Sequence, residues 1–243
     1  MLLRRCIMNH PIWEYLFFGF VLAEFASLLT TVYLHRGSTH RSVVFNPVLE
    51  FFLQLGLWLT TGINRKEWVA VHLCHHAHAD VEGDPHSPTL LGLWKVQLGN
   101  LFLYRRAARD PKVLWYARNI IPSFAERTVF RFPYLGLLIG IALLWYTFGL
   151  WQMFVIVGTH VFLYMFFLNN LINGWCHVRG YKNFPATVAF NNRFVAWITM
   201  GEGLHNNHHH NPGNPSLRDR GSEVDLGWIF IWLMCACGLA RTT

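Results

Sequence analysis

Charge is scarce in this chain. Only 14% of its 243 residues are Asp, Glu, Lys or Arg, against about 25% in a soluble domain. From Pro133 to Val178 there is none at all. Hydrophobic residues make up 53%, with 20 Phe and 11 Trp. This balance excludes an ordinary soluble domain. It points to an all-α integral membrane protein, read as one domain over residues 1–243. A disulfide framework is also missing. Cys6, Cys74, Cys176, Cys235 and Cys237 are odd in number, and most lie beside apolar segments, so reduced thiols are expected. Repeats, low-complexity tracts and linkers are absent. No cleavable leader is expected, because the apolar stretch from Pro11 runs on too long and lacks a small-residue cleavage site.

Acids are few as well: 13 Asp and Glu stand against 20 Lys and Arg, a formal net charge of +7. Only Arg4 and Arg5 precede the first apolar segment; the other basic residues share their segments with histidines. By the positive-inside rule, the histidine side is cytoplasmic. The basic excess also suits anionic lipid headgroups or an acidic protein partner. No nucleic-acid partner is expected.

Pro11 to Leu34 is long enough to span a bilayer, and Glu24 near its middle is expected to face protein. Asn46 to Ile63 is apolar but shorter. Pro133 to Gly174 reads as two spans in a tight hairpin, broken near Gly149. Asp225 to Ala240 reads as a short helix on the membrane or packed on the cap. Arg105 to Arg131 is a polar, basic connector expected to form short helices in a cytoplasmic cap.

What the chain has in abundance is clustered histidine. Eight of its 14 histidines fall into His35-x4-His40, His72-x2-His75-His76 and His205-x2-His208-His209. Imidazole is a common ligand for Fe, Zn and Cu, and eight copies exceed the four ligands of one structural zinc, so two ions are implied. The i, i+3, i+4 spacing stacks His72 over His75 and His76 on one helix face. The third cluster has the same spacing, although Asn206, Asn207, Gly201 and Gly203 weaken its helix. His35 and His40 would splay on a regular helix, so Gly37 is expected to break it. Asp80, Asp84 and Glu202 are candidates to orient the imidazoles, with ordinary solvated acids as the alternative. His78 and His210 are left outside the ligand set. His86 is read as structural, His160 as a hydrogen-bonded core residue, and His10 has no support.

If the first two clusters share metals, they lie on one membrane face. Asn46 to Ile63 then cannot cross and is expected to be in-plane or re-entrant. About three crossings follow, with the N-terminus on the far side from the metals, a placement that Arg4 and Arg5 oppose.

His35-Arg36-Gly37-Ser38-Thr39-His40, Glu67-Trp68 to His76 and Gly201-Glu202-Gly203-Leu204-His205 to His209 resemble the three histidine boxes of membrane fatty acyl desaturases, nearest the acyl-CoA (stearoyl-CoA, delta-9-like) branch. The resemblance runs from Val32 to Ala240 and includes Asp84-Pro85-His86-Ser87-Pro88, Asn191-Asn192 and Asp225-Leu226-Gly227-Trp228. It implies two iron ions held by His35, His40, His72, His75, His76, His177, His205, His208 and His209. Asn173, in Asn173-x3-His177, would hold a metal-bound water. It also implies removal of two hydrogens from adjacent methylenes of a fatty acyl chain, with O2 as co-substrate. Electrons would come from a separate donor such as ferredoxin, rubredoxin or cytochrome b5 with its reductase, since no His-Pro-Gly-Gly haem motif is present. An apolar tunnel would place one carbon pair beside the metals.

The chain departs from the pattern by showing one span fewer ahead of the first box, by Leu73-Cys74, and by Ser216 to Gly221. The compact chain suits a bacterial inner membrane over an endoplasmic reticulum. Two alternatives stay open. The same scaffold serves hydroxylation, acetylenic bond formation or decarboxylation to a terminal alkene. A histidine-rich metal transporter would instead place its ligands near the bilayer midplane.

Overall fold

Long apolar runs favour helices that satisfy every backbone group internally, and helices dominate. The computed structural model describes residues 11–243. Arg4, Arg5, Cys6 and His10 lie outside the described residues. Helix α1 (Ile12–Leu29) continues without interruption into a π-helical stretch, Thr30–Thr39. Strand β1 (Val43–Phe45) leads to α2 (Pro47–Thr60), and α3 (Arg65–His78) carries the second histidine cluster. Then come α4 (Pro88–Leu91), α5 (Leu93–Ala107), α6 (Pro111–Leu114) and α7 (Phe124–Arg127). The hairpin is α8 (Pro133–Phe148) and α9 (Leu150–Val161). It turns on Gly149, whose φ of 102° is costly for any side chain with a Cβ. A second π-helical stretch, Phe162–Leu168, carries α9 into α10 (Asn169–Asn173) and the turn Trp175–His177. Helices α11 (Arg193–Ile198), α12 (His205–His210) and α13 (Leu226–Ala236) complete the cap. Strand β2 (Ala240–Thr242) pairs antiparallel with β1, a small sheet that the all-α reading did not contain.

Among the described residues, two continuous helices are long and apolar enough to cross a membrane, Ile12–Thr39 and Leu150–His177, each of 28 residues. They pack closely. A Cβ on Gly19 would sit 2.7 Å from the Ile156 carbonyl oxygen and collide with Thr159. Small residues allow such approach where lipid supplies no hydrophobic drive between helices. Glu24, inside the first span, is partly buried and its Oε1 is enclosed by protein. Helix α2, at 14 residues, is about 21 Å long, short of the ~30 Å hydrocarbon core. That length fits the in-plane expectation for the segment between the first two clusters. Helix α8 has 16 residues, also shorter than a full span.

The basic connector forms short helices, as expected, and lies against the back of α3. Val69, Ala70, Ala117 and Ile120 make one buried cluster there, with Leu73 packed on it. This explains the apolar Leu73 between ligand-spaced histidines: it faces the connector. His160 Nε2 donates to the Thr60 carbonyl at 2.8 Å, so it carries the ring proton.

Candidate metal centre

Four elements bring the histidines to one place. The first departs from the sequence expectation. Gly37 does not break the helix: the backbone widens to i→i+5 hydrogen bonding, and the His40 N–H donates to the His35 carbonyl at 3.1 Å. A π turn is wider than an α turn, so residues five apart that splay on an α-helix are brought towards one face here. The His35 and His40 rings lie 4.9 Å apart. The second cluster is on α3, whose N-cap Asn64 accepts from the Glu67 N–H. The third is on α12. His177 comes from the end of the second long helix.

The nitrogens converge in two groups. His35, His40, His72, His76 and His208 form one; His75, His177, His205 and His209 form the other. Within each group the ligand atoms lie within 4.8 Å of one another. Neighbouring Nε2 atoms are about one hydrogen-bond length apart: His35–His208 3.0 Å, His40–His72 3.1 Å, His76–His208 2.9 Å, His177–His205 3.0 Å and His205–His209 3.1 Å. The groups adjoin, with His76 and His209 stacked at 4.5 Å. All nine histidines expected as ligands are brought together. Asn173 lines the cavity beside them, together with His35, His72 and His205.

The three acids each meet one histidine. Glu202 Oε1 is 2.7 Å from His35 Nδ1 and also accepts from Thr31. Asp84 has both oxygens 3.0 Å from His75 Nδ1. Asp80 Oδ2 is 2.8 Å from His177 Nδ1. A carboxylate at Nδ1 holds the proton there, so Nε2 presents a lone pair to the interior. Burial works to raise the pKa of each acid outside the spans, but histidine contacts win and hold Asp84, Asp80 and Glu202 below the usual carboxylate range. Burial, reinforced by the neighbouring His35, pushes His40 down to about 2. It also drives His72, His76, His205, His208 and His209 well below the ordinary histidine value. These six imidazoles are therefore held neutral, the state that binds metal. His75 Nε2 is buried with no protein partner, an orphan that a cation in the second group would satisfy. An all-nitrogen donor set with oriented tautomers fits a pair of transition-metal ions such as iron.

A cavity of about 150 Å³ opens beside both groups. Ile63, Trp68, Val71, Leu101 and Leu168 give it apolar walls, while Thr30 and Tyr164, hydrogen-bonded at 2.6 Å, give it a polar spot. Both π-helical stretches contribute to its wall. Trp68 stacks on His72, centroids 4.8 Å apart and 12° from parallel, and so joins wall to metal ligand. The sequence reading set His86 aside. The structure places it in this wall, buried, stacked on His75 at 4.7 Å, with neither ring nitrogen partnered. Its position in Asp84-Pro85-His86, next to an orienting acid, was the available signal. His78 pairs with Tyr116 and His210 stacks on Phe184, both away from the cage.

A family model described as fatty acid desaturase matches residues 11–218. An icosanoyl-CoA 5-desaturase of Limnanthes douglasii is 32% identical over 236 residues, 94% of this chain and 65% of that protein. An sn-1 stearoyl-lipid 9-desaturase of Anabaena variabilis is 32% identical over 215 residues, 86% of this chain and 76% of that protein. A delta-9 desaturase-like 2 protein of Arabidopsis thaliana is 28% identical and aligns with 94% of this chain. The chain thus spans about two thirds to three quarters of the length of these relatives. The matched region contains all three histidine clusters and both long apolar helices. With that match and the two-group imidazole cage behind it, the chain belongs to the fatty acid desaturase family.

Proposed function

We propose that this protein is a membrane oxidoreductase that introduces a cis double bond into a fatty acyl chain. The overall change is removal of one hydrogen from each of two adjacent methylenes; these two hydrogens, together with two electrons and two protons from outside, convert O2 to two waters. The observation that carries the reading is the joining of nine imidazoles, in two groups, to an apolar-walled cavity.

His35, His40, His72, His76 and His208 would hold one iron. His75, His177, His205 and His209 would hold the other, with Asn173 placed for a bound water. Iron, when bound, supplies the oxygen-reducing, hydrogen-removing chemistry. The chain's own part is placement. Glu202, Asp84 and Asp80 fix ring tautomers. Trp68, Val71 and Leu168 exclude water and hold methylenes near the cage. Selectivity for one carbon pair then comes from where the chain stops in the cavity.

The two long helices cross in this reading, and α8, although short at 16 residues, crosses with them because its hairpin partner returns to the cage side, giving three crossings with the cage and connector on the cytoplasmic face. Electrons come from a separate protein such as ferredoxin, rubredoxin or cytochrome b5 with its reductase. Relatives include one named for CoA substrates and one named for lipid substrates, so the carrier is decided by experiment. Membranes containing the protein are given O2, an electron donor and labelled saturated acyl groups on CoA, acyl carrier protein and lipid. Mass spectrometry is expected to show loss of two hydrogens on one carrier, abolished by His75→Ala. Gain of oxygen, or loss of the carboxyl carbon, would overturn desaturation while leaving an acyl oxidase.

A further inference from the structure

A second cavity, much larger, lies on the far side of the α3 N-terminus from the cage. This cleft of about 970 Å³ is floored by Leu57 and Trp58 of α2 and by Pro133 at the start of α8. Trp58 Nε1 donates to the Phe132 carbonyl at 2.9 Å and ties floor to connector. Its charged lining is Arg65, Lys66, Arg118, Arg127 and Arg131 against Glu67 and Glu126. Glu126 is spoken for: its oxygens sit 2.7 and 2.6 Å from Arg65 Nε and Nη2. Among the described residues, Lys66, Arg118, Arg127 and Arg131 form no ion pair. Arg118 lies 3.5 Å over the Trp115 ring, a contact that leaves its charge uncompensated.

The rim shows what covers this cleft. Trp115 lines the cleft, and Ile121, Phe124 and Phe132 lie within two residues of lining residues; they are 57%, 80%, 75% and 59% exposed. Arg118, Arg127 and Arg131 fall between them in sequence. Apolar side chains projecting between basic ones, at the foot of an apolar helix, are the pattern of a segment seated in the headgroup layer. Gln54 adds a polar detail. It lines the cleft, is only 8% exposed, and its Oε1 has no hydrogen-bond partner.

We infer that this cleft binds the phosphate of an anionic glycerophospholipid, with Lys66, Arg118, Arg127 and Arg131 as its cationic lining. The site is separate from the metal cage, although Ile63 lines both cavities. A phosphate on a soluble acyl carrier shares the chemistry. The exposed apolar rim favours the lipid, because a soluble carrier gives those side chains nothing to enter.

The test is lipid retention by the full chain. Purified protein is exchanged into detergent micelles holding equal phosphatidylglycerol and phosphatidylcholine, and bound lipid is counted by native mass spectrometry. Wild type is expected to retain phosphatidylglycerol preferentially. Arg127→Gln with Arg131→Gln should lower that preference roughly 30-fold, from about five-fold per basic residue at an anionic surface. Arg218→Gln with Arg220→Gln removes equal charge outside the cleft and should leave it unchanged. Melting curves confirm that both variants fold, and Arg127→Gln alone, on an exposed side chain, is the fallback. Equal retention by wild type and the cleft variant overturns the inference. So does coenzyme A, added without lipid, binding with the same sensitivity to Arg127 and Arg131 and resisting displacement by phosphatidylglycerol.

Discussion

Asp84→Asn isolates one half of the proposed metal pair. Asp84 is fully enclosed, its side chain 0% exposed, and both oxygens lie 3.0 Å from His75 Nδ1. The same oxygens accept from the backbone N–H groups of His86 and Asp80, at 3.0 and 2.9 Å. Asparagine keeps the volume and loses the charge. Whichever way its amide turns, one NH2 faces a backbone N–H, and the His75 tautomer is no longer enforced. Loss of such an orienting partner costs 10–100-fold in metal affinity, or about 1.4–2.7 kcal/mol. The loss should fall on the group of four histidines, because the group of five is oriented separately, through His35 and Glu202. The assay is graded chelation of the iron-loaded protein, with metal counted per chain. Wild type should release two ions at comparable chelator. The variant should release one ion at 10–100-fold lower chelator and hold the other as wild type does. Two ions leaving at wild-type chelator concentrations would refute the orienting role, provided both proteins start with two.

Further perturbations probe the scaffold. Arg36 and Asp225 form a buried pair at 2.8 Å, both almost wholly enclosed, and Asp225→Ala should destabilise the protein by about 3–5 kcal/mol, read by chemical denaturation in detergent. The Arg65–Glu126 pair should carry a pH signature. Burial tends to raise the Glu126 pKa, but hydrogen bonds from Arg65 and Ser123 hold it below its ordinary value. Its contribution, about 1 kcal/mol, is therefore full above the unfolded glutamate range and is lost as pH falls through the depressed folded value. The melting difference between wild type and Glu126→Gln should shrink on acidification from pH 7; a constant difference would count against the pair. Gly19→Ile drives a branched side chain into Thr159 and the Ile156 carbonyl, and should lower the melting temperature while Gly221→Ala, in open space, does not. Asn206→Ala removes contacts to Asn183, Phe184 and Ala189, and should loosen α12 and lower metal content although Asn206 is no ligand.

The family, the ligand types and the two long helices were legible from the residues because their signals are local. A 28-residue apolar stretch, or histidines at i, i+3 and i+4, carries its meaning wherever it folds. His35 and His40 mark the limit of such reading. Their five-residue spacing argues against a helix until the i→i+5 backbone is seen, and that widening is stabilised by packing no local rule contains. Asn206 and Asn207 weaken a helix by intrinsic preference, yet here they hold it. Asn206 ties it to the loop around Phe184, and Asn207 to Leu217 and Glu223.

The sequence by itself determined the donor set and its setting, since imidazole-rich motifs beside membrane-length helices carry both locally. Tertiary structure decided the partition of nine histidines into five and four, and which acid meets which ring. It also decided that His86 belongs to the cavity wall and that the connector's cations surround a cleft. Each of these depends on residues far apart in the chain, such as His35 with Glu202 and His177 with Asp80. Pairings of that kind are fixed by packing of whole elements, and no spacing along the chain encodes them.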